Sequence, residues 1–344
     1  MLRQISCGDS LCGDSKAKMQ QSNRSTHSLE APQLRQYSPM VMAAWLYFRD
    51  GLSQQEVAER MSVSRATVSN LLAAAKQAGV YRITFEQNLF EQMLVVEKLK
   101  QRFGLDDLLV VPSVGSLADQ RARVASAGAF YLAGTLKDCT SLGISWGQTV
   151  LELGAALEPA ETKITKVYQM VGIARTQLWK LAEACNSRIA HALNADVMQF
   201  PAPGLVSTRE LYEQLVAEPI VAEQFEALRR VDAALFGICS TKPDSPFFAS
   251  GLAQGLSSHI LSERKVAGII GGRMYDSSGA PVVVDGYDDQ LLAMSLDDFK
   301  AIPHRFGVAA GLEKVNAIEG ALRGGLLTAL ATDFDTACAL ADRH

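Results

Sequence analysis

From residue 40 onward the apolar positions fall into two spacings, one helical and one extended, and their order divides the chain. Residues 40–49 (MVMAAWLYFR) are an apolar-rich helical run with Ser38 as its cap, Pro39 at its first position and Gly51 closing it. Ser53 and Glu56 stand three apart, the spacing of a capping box, in which hydroxyl and carboxylate each take up an orphaned backbone N–H, so a second helix begins there. Within it Val57, Ala58 and Met61 follow the helical period, and Gln54, Gln55, Glu59 and Arg60 take the outer face. Only Ser62, Val63 and Ser64 precede the next helix, too few for anything but a tight turn, and Ser64 is placed to cap a helix starting at Arg65. In this third helix Val68, Leu71, Leu72 and Ala75 form the buried stripe, Gly79 ends it, and residues 81–85 read as a short strand of a wing.

Residues 89–103 (LFEQMLVVEKLKQRF) are helical, with Leu89, Phe90, Met93, Leu94, Val96 and Leu99 giving an apolar face broad enough to pack on another domain or a second subunit. From residue 107 the pattern changes. The runs LLVVP, LGIS, ITKVYQMVG, VMQF, residues 231–238, VAGIIGG, HRFGVAA and LLTALAT alternate with helical patterns over 117–136, 149–157, 178–193 and 313–322. That alternation predicts an α/β fold with a largely parallel sheet covered by helices on both faces. The turn residues of YDSSGAP (275–281) lie between two apolar runs and predict an inserted β-hairpin. The expected organisation is an extension over 1–37, a helix-turn-helix domain over 38–86, a linker helix over 87–104 and an effector domain over 105–344.

Composition sharpens this division. The chain has 344 residues with 48% hydrophobic and 20% charged, ordinary for a globular protein of two domains. Its net charge of −4 excludes a protein that coats nucleic acid everywhere, yet the segment 34–84 holds Arg35, Arg49, Arg60, Arg65, Lys76 and Arg82 against Asp50, Glu56 and Glu59. One electropositive domain on an acidic protein is the footprint of a phosphate-facing module. No apolar run approaches the ~20 residues of a membrane span, and residues 1–39 are polar and Ser-rich without the apolar core of a signal peptide. A cytoplasmic location is expected. Cys139, Cys185, Cys239 and Cys338 read as buried thiols; Cys7 and Cys12, in the repeat CGDSLCGDS, lack the partners a zinc site needs and are expected in a disordered tail. No cofactor or metal is expected.

The outward-facing residues of the third helix suit a DNA major groove. Arg65 matches guanine or phosphate, Asn70 adenine, and the small Ala66, Thr67 and Ser69 permit close approach, with Gln54 and Ser64 at the two helix starts completing the expected contact set. A helical hairpin used only for packing is the alternative, and the capping box, the short turn and the closing Gly count against it. In the large domain, ligands of parallel sheets bind outside the carboxyl ends of the strands. The loop Ser145, Trp146, Gly147, Gln148 and Thr149 follows one strand and opens a helix. Gly172 and the pair Gly237 and Ser240 stand at two further strand ends, and Lys314 is read in the first turn of a helix, where a cation is favoured only with an anion between it and the dipole. Asp285, Asp288 and Asp289 offer acceptors for hydroxyls.

The segment GLSQQEVAERMSVSRATVSNLLAAAKQAGVYRITF, together with GISWGQT, QFPAP, ALFGI, FGVAAGLEKVNAIEGALRGG and LATD, resembles the SorC family of sugar-responsive transcriptional regulators over nearly the whole chain from Met40. The resemblance implies a winged-helix-like DNA-binding domain and a Rossmann-like effector domain similar to sugar-phosphate isomerases. It also implies repression of carbohydrate catabolism, controlled by a sugar, sugar phosphate or polyol. The sequence departs from the family at Asn70, where Arg is frequent, at Ile269, where an acidic residue is common, and at Ala310, where a second Gly is usual; the less polar site suits a neutral polyol. Operator DNA is the expected partner, bound by a homodimer or homotetramer, because one small helix-turn-helix reads too few bases for specific affinity. The alternative is an isomerase-like enzyme with a DNA-binding adaptor. It needs a positioned base, and His27, His191, His259, His304 and His344 are scattered. GIIGG is not the dinucleotide fingerprint either.

Overall fold

The computed structural model describes residues 38–81, 87–173 and 179–343, and the chain divides between Phe85 and Glu86 into two compact units. In the first, α1 (Pro39–Ala44) continues as one π-helical turn over Trp45–Arg49. Ser38 caps it with its carbonyl, which accepts from the amides of Val41 and Met42 at 2.9 and 3.0 Å, and its hydroxyl makes no cap bond. The capping box of α2 (Gln54–Met61) is formed: the Ser53 amide donates to the Glu56 carboxylate at 2.7 Å and the Ser53 hydroxyl accepts from the Glu56 amide at 3.3 Å. The chain then turns through Ser62, in the left-handed region at φ 55°. At Ser64 the hydroxyl accepts from the Thr67 amide at 3.1 Å and starts α3 (Arg65–Gln77). Ala43, Leu46, Val57, Val68, Leu72 and Ala75 join the three helices in one core. Leu71, expected in that stripe, is half-buried. Residues 82–85 of the expected wing lie outside the described residues, as do Cys7, Cys12 and the whole extension.

The second unit begins with α4 (Gln87–Phe103) and is built on seven strands: β1 (Asp107–Val111), β2 (Ser141–Ile144), β3 (Lys166–Gln169), β4 (Asp196–Met198), β5 (Ala233–Gly237), β8 (His304–Val308) and β9 (Ala329–Asp333). They stand in the order β1-β9-β8-β5-β2-β3-β4, every neighbouring pair parallel. Between them run α5 (Leu117–Thr135), α6 (Gln148–Ala156), α7 (Trp179–Leu193), α8 (Arg209–Ala217), α9 (Pro219–Leu228), α10 (Pro246–Ala249), α11 (Ser258–Glu263), α12 (Leu296–Lys300), α13 (Val315–Arg323) and α14 (Phe334–Ala341). Side chains alternate across a strand, and both sets are buried here: Ala233 and Leu235 of β5 enter one core with Val124, Leu153 and Ile189 of α5, α6 and α7. Ala234 and Phe236 enter the other with Leu99, Val221, Phe299, Ile318 and Ala337 from α4, α9, α12, α13 and α14. Burial on two faces is why these strands read as unbroken apolar runs.

Two expectations are corrected. The GIIGG run is not a strand of the main sheet; β6 (Gly268–Ile270) pairs antiparallel with β7 (Arg273–Tyr275) as a separate hairpin. Its turn is Gly271-Gly272, both at positive φ (56° and 83°), so the hairpin sits upstream of YDSSGAP. There the Asp276 carboxylate accepts from Ser278 and Ala280 and makes a local turn, leaving one bridge, Tyr275 to Pro281. Of the four cysteines, Cys139 and Cys185 are buried, whereas Cys239 and Cys338 are half-buried. Among the described residues no helix is long and apolar enough to cross a membrane.

At the amino end of the sheet the Asp232 carboxylate accepts from the amides and hydroxyls of Thr140 and Ser141 at 2.6–3.3 Å, tying the start of β5 to the start of β2. Burial alone raises its pKa, but these hydrogen bonds outweigh it and hold the carboxyl below the usual Asp value. Asp232 therefore contributes stability that is full above an unfolded pKa of about 3.9 and is lost as the pH falls through the native pKa. Asp232→Asn is expected to be less stable at pH 7 and to lose less stability than the wild type below about pH 4, as read by urea unfolding across pH.

Candidate functional site

The strand order places a topological switch between β2 and β5: from β2 the chain moves outward through β3 and β4, and from β5 it moves the other way through β8 and β9. Loops that diverge at such a point open a crevice at the carboxyl ends of the strands. The crevice here is lined by Ser145, Trp146, Val171, Gly237, Cys239 and Phe247, and is covered by the hairpin residues Ile269, Gly271 and Gly272. A neighbouring compartment adds Met170, Ile270, Met294, Leu296 and Phe299. The first compartment encloses about 30 Å³ and the second about 10 Å³, whereas ligand sites generally offer roughly 300 Å³ or more. A sugar enters only if the covering elements move.

The polar groups around the crevice are few. The Trp146 indole N–H is buried without a hydrogen-bond partner among the described residues, and the buried Ser245 hydroxyl has the Cys239 thiol beside it. A buried polar group left unpaired costs about 1–3 kcal/mol, so the indole favours an occupant that pairs it. Burial pushes the Cys239 thiol pKa up, while the charge of Lys314 and a contact with the Ser245 hydroxyl act in the opposite sense; Lys314 and Ser245 thus both bear on a residue of the crevice wall.

The predicted effector residues separate into three groups. Ser145, Trp146 and Gly237 line the crevice, and the Ser145 amide donates to the Leu235 carbonyl at 3.0 Å, pinning the β2 end to β5. Gly147 caps α6, Thr149 and Ser240 are buried beside these loops, and Lys314 ends a single 3₁₀ turn (Leu312–Lys314) as the cap of α13, one position before the helix in which it was expected. The remainder are elsewhere. Gln148 is exposed and donates to Glu152 at 3.0 Å. Gly172 serves a close backbone approach, since a Cβ there would lie 2.6 Å from the Pro203 carbonyl oxygen. Asp285 is exposed, and neither it nor Asp289 is among the crevice-lining residues. Asp288 is structural: it pairs with Arg273 at 2.9 Å and accepts from the Val284 amide at 2.8 Å.

Residues that sequence reasoning passed over hold this site in shape. Arg273 donates to the carbonyls of Asp288, Leu291, Ala293 and Met294 and fixes the segment beneath the hairpin. Asp333, at the end of β9, accepts from the Gly311 amide at 2.7 Å, the Ser113 hydroxyl at 3.1 Å and the Thr336 amide at 3.0 Å. It therefore caps α14 and positions the loop leading to Lys314. The signal was present: an Asp directly after an apolar strand and before a helical run is a cap.

In the first unit, Arg65, Ala66, Thr67, Ser69 and Asn70 are exposed on the first turns of α3. Ser64 is exposed but occupied as the cap, and Gln54 is half-buried at the first position of α2.

The family model described as "Putative sugar-binding domain" matches residues 87–341. The transcriptional regulator YjhU of Escherichia coli K12 is 32% identical over 305 residues, 87% of this chain and 93% of that one. LsrR of the same strain is 30% identical over 304 residues, 86% of this chain and 92% of that one. The probable sor operon regulator of Shigella flexneri superposes with a TM-score of 0.67 at 26% identity, covering 73% of this chain and all of that one. Full-length SorC, the sorbitol operon regulator of Klebsiella pneumoniae, shares the fold with a TM-score of 0.67 at 24% identity over 90% of this chain and all of that one.

The tight backbone crossing at Gly172 yields a direct test. Gly172→Ala forces backbone to move against backbone and is expected to lower the unfolding free energy by about 1–3 kcal/mol in urea titrations.

Proposed function

Given that the chain belongs to the SorC family of sugar-binding transcriptional regulators, we propose that it binds operator DNA through the exposed start of α3 and changes its affinity when a sugar, sugar phosphate or polyol occupies the strand-end crevice. The observation that carries this reading is the pairing, on one chain, of a short, well-capped helix presenting Arg65, Thr67 and Asn70 with a crevice at a topological switch. Arg65 and Asn70 supply base-edge hydrogen bonds, and Ala66 and Ser69 allow the helix to approach the groove. Ser64 positions them, because losing an N-cap costs about 1 kcal/mol and frays the very turn that meets DNA. Two or four copies act together, since a pair of half-sites supplies the contacts that one module lacks. Repression of a carbohydrate operon, in the cytoplasm, is the proposed output.

In the crevice, Ser145, the Trp146 indole and Ser245 supply polar contacts, and Lys314 supplies charge toward an anionic substituent. Among the described lining residues no carboxylate or imidazole is placed to remove a proton from a sugar carbon, which favours binding over turnover.

An operator selected in vitro from the full-length protein gives the assay. The double variant Arg65→Ala, Asn70→Ala is expected to weaken operator binding at least 100-fold, at about 1–3 kcal/mol per lost base contact, while effector-induced thermal stabilisation stays intact. Loss of both properties would assign the residues to folding instead. Lys314→Met is expected to weaken phosphorylated effectors at least tenfold and neutral polyols little; equal effects on both classes would remove Lys314 from the anion site.

A further inference from the structure

The hairpin beside the crevice is fastened to α13 at its open end, where Gly268 pairs with Tyr275. The Tyr275 hydroxyl, buried at the end of β7, donates to the Ala317 carbonyl at 2.9 Å. Beyond β7, Gly279 (φ 79°) lies so close to α13 that a Cβ there would stand 2.3 Å from the Cα of Gly324 and 2.6 Å from the Gly320 carbonyl oxygen. On the hairpin's other strand, a Cβ on Gly268 would stand 2.7 Å from that of Ala317. At Gly279 backbone packs on backbone with no side chain to yield, and on the hairpin the Tyr275 ring fills the space between Gly268 and Ala317, so the hairpin and α13 shift together.

The same helix also holds α4. Glu319, about 7.5 Å along the axis from Lys314, has its side chain only 11% exposed. It accepts from Arg323 at 2.8 Å and from Arg343 at 2.7 Å and pairs with Arg102, in the last turn of α4, at 3.6 Å. Arg102 also donates to the Leu340 carbonyl at 3.2 Å and to the Arg343 carbonyl. The three arginines lie at the carboxyl ends of three helices or just beyond, where helix dipoles favour cations, and Glu319 is the carboxylate they share. A groove of about 550 Å³ opens between Arg102, Phe103, Ser277, Ser278, Leu322 and Arg323, which leaves room at this joint for the last turn of α4 to move.

We propose that Glu319 is a positioning residue that couples the crevice to the linker helix: the β6–β7 hairpin and α13 form one lever, and the Glu319–Arg102 pair hands its displacement to α4. This rests on the proposed effector site, whose compartments are too small for a sugar unless a lining element moves, and it takes the hairpin, which contributes Ile269, Ile270, Gly271 and Gly272 to the lining, as that element. The path ends at α4, which in sequence directly follows the DNA-binding unit. A contiguous chain of packed backbone and one ion-paired hub is the kind of element able to carry coupling between distant sites.

The test needs no known effector. Hydrogen–deuterium exchange of the full chain is compared for wild type, Arg102→Met, Glu319→Gln and the control Arg229→Met, whose ion pairs with Glu226 and Asp298 lie on α9 and α12. Arg102→Met and Glu319→Gln are expected to speed exchange at least fivefold both in the last turn of α4 and in the hairpin amides around Ile269, with the control changing neither. Faster exchange confined to α4 and α14, with the hairpin at wild-type rates, overturns the lever. Should Glu319→Gln fail to fold, Arg102→Met, which removes a partly exposed guanidinium, decides alone. A wild type whose operator binding answers no sugar, sugar phosphate or polyol would defeat the functional reading and leave the exchange result to stand by itself.

Discussion

Because the central strands of the parallel sheet pack helices against both faces, a ligand meets this unit only where strands end. That constraint orders the rest. It forces unbroken apolar runs into β5 and β9, confines polar chemistry to loops, and makes the divergence of β2 and β5 the place where a crevice opens. The loops there are held by hydrogen bonds from the framework: Ser145 to the end of β5, the Gly311 loop to Asp333, and the segment before α12 to Arg273. The site is preorganised at its base and flanked by a hairpin that lies outside the main sheet and meets the end of β5 through one antiparallel bridge, Cys239 to Ile269, with backbone hydrogen bonds of 3.0 and 3.1 Å.

This combination of rigid floor and separate cover suits a sensor. A binding site that is complete before the ligand arrives gains affinity but has nothing to report, whereas one that must displace a covering element converts binding into motion. Here the covering element is welded to α13 by glycine contacts, and α13 ends in the arginine cluster that grips α4. The energies required are small. About 1–3 kcal/mol of coupling changes operator affinity 5- to 150-fold, within the range that a shift of one ion-paired helix end supplies.

Much of the architecture was legible in the sequence, for identifiable reasons. The capping box at Ser53 and Glu56 and the cap at Ser64 are local chemistry, and local chemistry sets those helix starts wherever the chain goes. The strand runs were legible because double-sided burial leaves no polar alternation. Two features were hidden. GIIGG has the composition of a core strand, and only its pairing partner, three to seven residues downstream, shows that it leaves the sheet. The Asp285 to Asp289 cluster looked like a hydroxyl-binding set, yet Asp288 is consumed by Arg273, whose partners are distributed across residues 288–294. Trp146 was read from its place in the loop after β2, whereas Ser245 carries no spacing signal and stands out only once burial is known.

The central claim is that crevice and operator are thermodynamically linked, and linkage is reciprocal. The most direct measurement is the affinity of the full-length protein for its stabilising sugar-type ligand, by calorimetry, with and without saturating operator DNA at one fixed salt concentration. The account predicts that DNA changes ligand affinity by the same factor by which the ligand changes DNA affinity, and that both factors vanish in Arg102→Met. Identical ligand isotherms with and without DNA would contradict it.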